Sequence, residues 1–140
     1  VHESFLSYVA QVAEISIDAH GHVKLHKIVC AVDCGLAVNP DGVRAQMESG
    51  IIFGITMALY GSITIADGMV QQSNFHDYRI ARMHEAPVIE VHIVESTGKM
   101  GGAGEPCVPP TAPAIANAIF AATGKRLRSL PFGHINLNKA

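Results

Sequence analysis

Two segments carry residue types at spacings that could do chemistry. The first is Gly98-Lys99-Met100-Gly101-Gly102-Ala103-Gly104-Glu105-Pro106. Glycines this dense let a backbone approach a ligand closely and aim several N–H groups at it. Glu105 adds one carboxylate at the end of that loop. A dinucleotide-binding loop would open its helix with glycine where this chain has Glu105-Pro106, so that reading fits poorly. By pattern alone the loop is either a ligand cradle or a solvated turn.

The second segment is Gln46-Met47-Glu48-Ser49-Gly50, with Gly54 one turn on. Gln46, Gly50, Gly54 and Ala58 recur every four residues, which places them on one stripe of a helix. Glycine costs a helix interior roughly 1 kcal/mol against alanine, so two on one face mean that something packs very close there. By spacing alone, packing through small residues with Gln46 solvated is the favoured reading; ligand contacts at Gln46 and Gly50 are the alternative. Cys30, Cys34 and Cys107 are an odd number at no framework spacing, which argues against a disulfide scaffold; Cys30 and Cys34, around a strand end, read as buried free thiols. His20, His22 and His26 lack a cysteine or acidic partner at zinc spacing and read as turn and strand residues.

The elements that must position these residues follow from periodicity. Residues 5–17 and 23–32 alternate apolar with small or polar residues, and His20-Gly21-His22 lies between them, which predicts an antiparallel hairpin. Asn39 before Pro40 predicts an N-cap and a first helical residue. The helix then runs to Leu59, with Val43, Met47, Ile51, Ile55 and Leu59 on its buried stripe, and Gly61 ends it. Residues 62–66 predict a short strand that returns through Asp67-Gly68 at Met69-Val70. Residues 74–86 are polar and irregular, and residues 88–95 alternate as a strand. Thr111 is the expected N-cap of a second helix reaching Ala122, with Ile115, Ile119 and Ala122 buried and Gly124 as the C-terminal cap. A last strand is expected over residues 127–132. The fold class is therefore α+β, a mostly antiparallel sheet with two main helices, in a single domain over residues 1–140.

Composition narrows the functional classes. The chain is 49% apolar and 16% charged with a net charge of −2, so it has a core to bury and no basic face for nucleic acid. No apolar run is long enough to span a bilayer. The opening Val1-His2-Glu3 has neither methionine nor a basic region and reads as the lead-in to a strand, as if cut from a longer chain.

Met100 to Pro106, followed by Pro109-Pro110 and the alanine-rich stretch Ala112 to Gly124, resembles the glycine–glutamate segment of the xanthine-oxidase family of molybdenum hydroxylases. Within that family it is most similar to the isoquinoline 1-oxidoreductase β-subunit and aldehyde dehydrogenase group. Gln46 to Gly50 resembles the segment at which the family's helix meets its pterin, and Asp33-Cys34-Gly35 with Val38-Asn39-Pro40 is similar to the approach to that helix. The resemblance runs from about residue 5 to Phe132. It implies a C-terminal molybdopterin-binding segment of a larger subunit, in an enzyme that hydroxylates an aldehyde or N-heteroaromatic carbon with water as oxygen source. It further implies Glu105 as general base, and Gln46, Gly50 and Gly104 as cofactor contacts, with no protein residue ligating the metal. That role needs a carboxylate that is ionised yet poorly solvated, which burial beside the glycine loop would provide. The expected partners are the remainder of the large subunit and a small subunit carrying iron–sulfur clusters. The bacterial cytoplasm or the periplasmic face of the inner membrane is the expected location. Cys107 is not a position the resemblance fixes, and His76 to His84 receives no role from it. The alternative is a non-catalytic binding or assembly module of the same fold. The isolated 140 residues are in either case expected to be inactive.

Overall fold

The predicted hairpin forms the centre of a mixed sheet. In the computed structural model, which describes residues 1–137, β1 (His2–Ser4), β2 (Ser7–Ile17), β3 (Val23–Asp33) and β6 (Val88–Ile93) lie side by side in that order. The two neighbouring pairs β1–β2 and β2–β3 are antiparallel. β3 and β6 are parallel, from Lys27 opposite Val88 to Val32 opposite Ile93. The parallel pair arises because a crossover, not a tight turn, joins these strands, and its main element is α1 (Pro40–Leu59). The sheet is thus mostly antiparallel with one parallel edge.

Both helices cover one face. α1 and α2 (Val108–Thr123) bury Met47, Ile51, Ile55, Ile115 and Ile119 against Val9, Ile28, Cys30 and Val32, all fully excluded from solvent. Each such side chain contributes about 1.5–3 kcal/mol by leaving water. The other face of β2 stays open, with Tyr8, Val12, Glu14 and Ser16 exposed. β4 (Ile65–Ala66) and β5 (Met69–Val70) form a separate two-stranded arm. Its turn, Asp67-Gly68, has both residues at positive φ, as a two-residue hairpin turn requires.

Local chemistry accounts for the helix ends. The Asn39 side chain accepts the Gly42 N–H at 3.2 Å, and Pro40 occupies the first helical position, where its missing donor costs nothing. α2 differs from expectation. It begins at Val108, a turn before Thr111, because Pro109 and Pro110 fall where helical N–H groups have no partner anyway. Thr111 is therefore a buried residue inside the helix and not its cap. Gly124 caps the far end at φ 72°, while Ala122 is exposed rather than buried. The strand expected over residues 127–132 does not form. Pro131 lacks a ladder donor, and Phe132–His134 make a 3-10 turn that buries the Phe132 ring alone. β1 is a further strand that the alternation does not predict, and Phe5 and Leu6, expected to open the first long strand, instead sit at φ 53° and 62° and form the turn between β1 and β2.

Residues 74–86 are held by a polar knot at the end of α1. The Tyr60 hydroxyl and the Arg79 guanidinium both donate to Glu85 Oε1, at 2.6 and 2.5 Å, and Arg79 lies 3.9 Å above the Tyr60 ring. Burial pushes the Glu85 carboxyl up, but the Tyr60 hydroxyl, the Arg82 amide and Arg79 outweigh it and hold the group below its ordinary value. A depressed carboxyl contributes stability that is complete above the unfolded value and is lost as pH falls through the folded one. Glu85→Gln is accordingly expected to lower the melting temperature at neutral pH, with the difference from wild type shrinking on acidification below the ordinary glutamate range. Thermal scans across pH check this.

Candidate active site

The glycine loop is pinned before it reaches Glu105. Asp33 accepts Ser96 Oγ at 2.6 Å and the Gly35 amide at 3.1 Å, and the Ser96 bond in particular keeps its carboxyl low and charged. Gly35 lies at φ 70°, and a Cβ there would stand 2.7 Å from the Lys99 carbonyl oxygen. Glycine is therefore required where β3 passes the start of the loop. The Gly101 amide donates to the Cys34 carbonyl at 3.0 Å and the Gly102 amide to the Phe5 carbonyl at 2.8 Å. Contact with the loop supports the positive-φ turn at Phe5-Leu6, a conformation that costs such residues about 1–3 kcal/mol each.

Beyond Gly102 the loop is open. The amides of Ala103, Gly104 and Glu105 have no acceptor among the described residues. A Cβ at Gly104 would meet nothing within 4 Å. Gly104 and Glu105 face a cavity of about 830 Å³, lined on its polar side also by Ser4, Gln46, Ser49 and Gly50, whereas Ala103 faces a neighbouring space. Phe5, Phe53, Met57, Val108 and Pro109 form its apolar side. The four residues singled out in the sequence thus border one space, of a size that suits a small organic ligand. A second cavity of about 540 Å³, floored by Cys34 and Gly101, also touches Gln46 and Gly104. Gln46 and Gly104 therefore stand between the two spaces.

Each candidate has a distinct setting. Gln46 is exposed on α1, and its side-chain amide has no protein partner among the described residues. Glu105 is exposed rather than buried as the general-base role had suggested, because the cavity wall it shares is open on one side. Gly50 lines the cavity, but a Cβ there would run into the Cys107 thiol and stand 3.2 Å from Val108. At Gly54 a Cβ would lie 2.6 Å from the Thr111 Cβ. The small-residue stripe therefore seats α2 against α1, the reading favoured by spacing alone, and Gly50 meets the cavity only beside that contact. Phe5, Phe53 and Met57 were not singled out; exposed aromatic and methionine side chains carried no signal until the fold set them around Glu105. Residues 76–84 do not border this cavity.

The cysteines and histidines lie elsewhere. Cys30, Cys34 and Cys107 are buried free thiols. Burial, with a smaller push from the Cys107 thiol, raises Cys30 to about 12, which leaves it protonated and unreactive at neutral pH. His22 lies beside Asp18 and His26 beside Ser16. Among the described residues no group of three or more histidine, cysteine or acidic side chains could hold a metal ion. What the site offers is two free amides (Gly104 and Glu105), one carboxamide, one carboxylate, the hydroxyls of Ser4 and Ser49, and an apolar wall. That donor set suits a ligand with anionic or carbonyl edges and an attached flat organic body.

A family model described as the molybdopterin cofactor-binding domain matches residues 2–87. Isoquinoline 1-oxidoreductase subunit beta of Brevundimonas diminuta is 42% identical over 126 residues, covering 89% of this chain and 16% of that protein. A membrane-bound aldehyde dehydrogenase of Gluconacetobacter polyoxogenes, described as pyrroloquinoline-quinone, is 38% identical over 121 residues, 86% of this chain and 16% of its own. The aldehyde oxidoreductase of Desulfovibrio desulfuricans superposes with a TM-score of 0.78 at 28% identity, covering 89% of this chain and 14% of that one. The chain thus spans about a sixth of the length of the curated relatives it matches.

Proposed function

This chain belongs to the molybdopterin cofactor-binding domain family, and from that premise we propose that it forms part of the active site of a molybdenum hydroxylase. In this reading the remainder of a large subunit closes the open side of the cavity. A small iron–sulfur subunit carries electrons away, and the substrate is an aldehyde or an N-heteroaromatic ring. The observation that carries the proposal is the convergence of Gln46, Gly104 and Glu105 on one cavity. The matched family region ends at residue 87, so the role of Glu105 rests on that geometry and on the loop motif.

The residues present fit such a cofactor. Gln46 and the free amides of Gly104 and Glu105 would hold its polar edges, and the open space at Gly104 admits a ligand atom where a side chain would block it. The bound molybdenum cofactor would supply the two-electron oxidation. Glu105 would take the proton from the water-derived oxygen that attacks the substrate carbon, a general-base contribution of about 10²–10⁴-fold. Phe5, Phe53 and Met57 would exclude water and seat an apolar substrate body. Closure by the rest of the subunit would supply the partial desolvation that Glu105 lacks in this chain.

Gln46→Ala in the intact enzyme is expected to lower molybdenum occupancy several-fold while the fold is kept, because Gln46 is exposed and leaves no buried partner unpaired. Metal analysis of the purified variant checks this, and full loading would remove Gln46 from the cofactor contacts.

A further inference from the structure

We propose that Gln11, on the central strand pair and outside the cavity lining, is a positioning residue that sets where Glu105 stands. This inference rests on the general-base role proposed for Glu105. The segment from Gly102 to Cys107 is held at both ends by β2. At one end Ser7 Oγ donates to the Gly102 carbonyl at 2.8 Å. At the other, Gln11 Nε2 donates to the Cys107 carbonyl at 2.7 Å. Ser7 and Gln11 are four residues apart, so they project from the same face of the strand. The free amides and Glu105 lie between these two anchors.

The second anchor is over-determined. Thr111 Oγ1 lies 2.9 Å from both the Cys107 carbonyl and Gln11 Oε1, so the hydroxyl can satisfy either acceptor while Gln11 spans both groups. The Cys107 thiol points the other way and donates to the Gln46 carbonyl at 3.6 Å, across the notch left by Gly50. Cys107 and Thr111 are fully buried and Gln11 is half-buried, so these bonds lie where water competes less than at the open surface. One residue therefore ties three things together: the strand through Gln11, the helix that carries Gln46, and the loop that carries Glu105 two positions earlier. A misplacement of about 1 Å in a reacting group can cost about 10²-fold in rate, so losing the brace should appear in kcat.

The test uses the intact molybdenum enzyme with Gln11→Leu, Thr111→Val and Thr111→Ser. Gln11→Leu and Thr111→Val keep side-chain volume and remove the polar contacts; Thr111→Ser keeps the hydroxyl. The expected result for Gln11→Leu is a kcat about 10–100-fold below wild type, with KM and molybdenum content within about twofold. Thr111→Val moves kcat the same way, Thr111→Ser restores it, and the double variant is no worse than Gln11→Leu, as for two residues on one node. Alkylation of the peptide containing Cys107, followed by mass spectrometry, becomes faster in Gln11→Leu without reference to turnover. A wild-type kcat in Gln11→Leu, or a parallel fall of kcat and molybdenum content in all three variants, overturns the proposal. The two readings fail separately. An inactive Glu105→Gln beside a fully active Gln11→Leu overturns only the brace, whereas an active Glu105→Gln removes the base on which it rests.

Discussion

Glu105→Gln is expected to lower turnover of the intact enzyme by about 10²–10⁴-fold while leaving it folded and loaded. The substitution keeps the size and the polarity of the side chain and removes its capacity to hold a proton. Glu105 is exposed on the cavity wall, so no buried partner loses a hydrogen bond. Its structural duty is carried by the backbone, whose carbonyl accepts the Val108 amide at 3.0 Å at the start of α2, and glutamine preserves that. Molybdenum and pterin content should therefore match wild type, and the defect should lie in kcat. Steady-state rates beside metal analysis decide it, and unchanged rates would reduce Glu105 to an ordinary loop residue.

Gly54→Val is expected to destabilise the fold by about 3 kcal/mol, the upper part of the range for overfilling a packed interior. A Cβ at this position would lie 2.6 Å from the Thr111 Cβ and 2.7 Å from its hydroxyl oxygen, closer than real atoms approach. Neither partner can swing aside, because Thr111 is fully buried and its hydroxyl is engaged by Gln11 and Cys107. The helices must part, even though valine relieves the helix-propensity cost of glycine. The parting would open the Gln11–Thr111–Cys107 node, so residual activity should fall further than the loss of folded protein explains. Denaturant melts with rates normalised to folded enzyme check both effects. A melting midpoint equal to wild type would show that the close approach at Gly54 is not needed.

Much of this arrangement is legible in the sequence, for identifiable reasons. Asn39-Pro40 fixes the start of α1 because a cap and a proline act locally, and four-residue spacing fixes its buried stripe. Gly50 and Gly54 signal a close contact, but nothing local says whether a ligand or a helix makes it; Cys107 and Thr111 fill that space from some sixty residues away. The parallel pairing of β3 with β6 is set by the crossover and is not written in either strand. Phe5-Leu6 carries none of the glycine or asparagine that marks a positive-φ turn, since tertiary bonds to Gly102 and the packing of Ser7 support it instead. The proline pair at 109–110 reads equally as a stop before a helix or as its first turn, and the structure takes the second. Among the candidate site residues, Gln46, Gly104 and Glu105 were visible as motifs. Gln11 was not, because a glutamine in an alternating strand looks like any half-exposed polar residue until its partners are known.

Whether this cavity belongs to a molybdenum enzyme is decided by the molybdenum and pterin content of the intact protein, purified with any subunits that accompany it from a host shown to load another enzyme of this class. Close to one molybdenum and one pterin per chain are expected. A folded protein with neither, prepared beside that loaded control, would contradict that expectation and leave the cavity to a binding or assembly role.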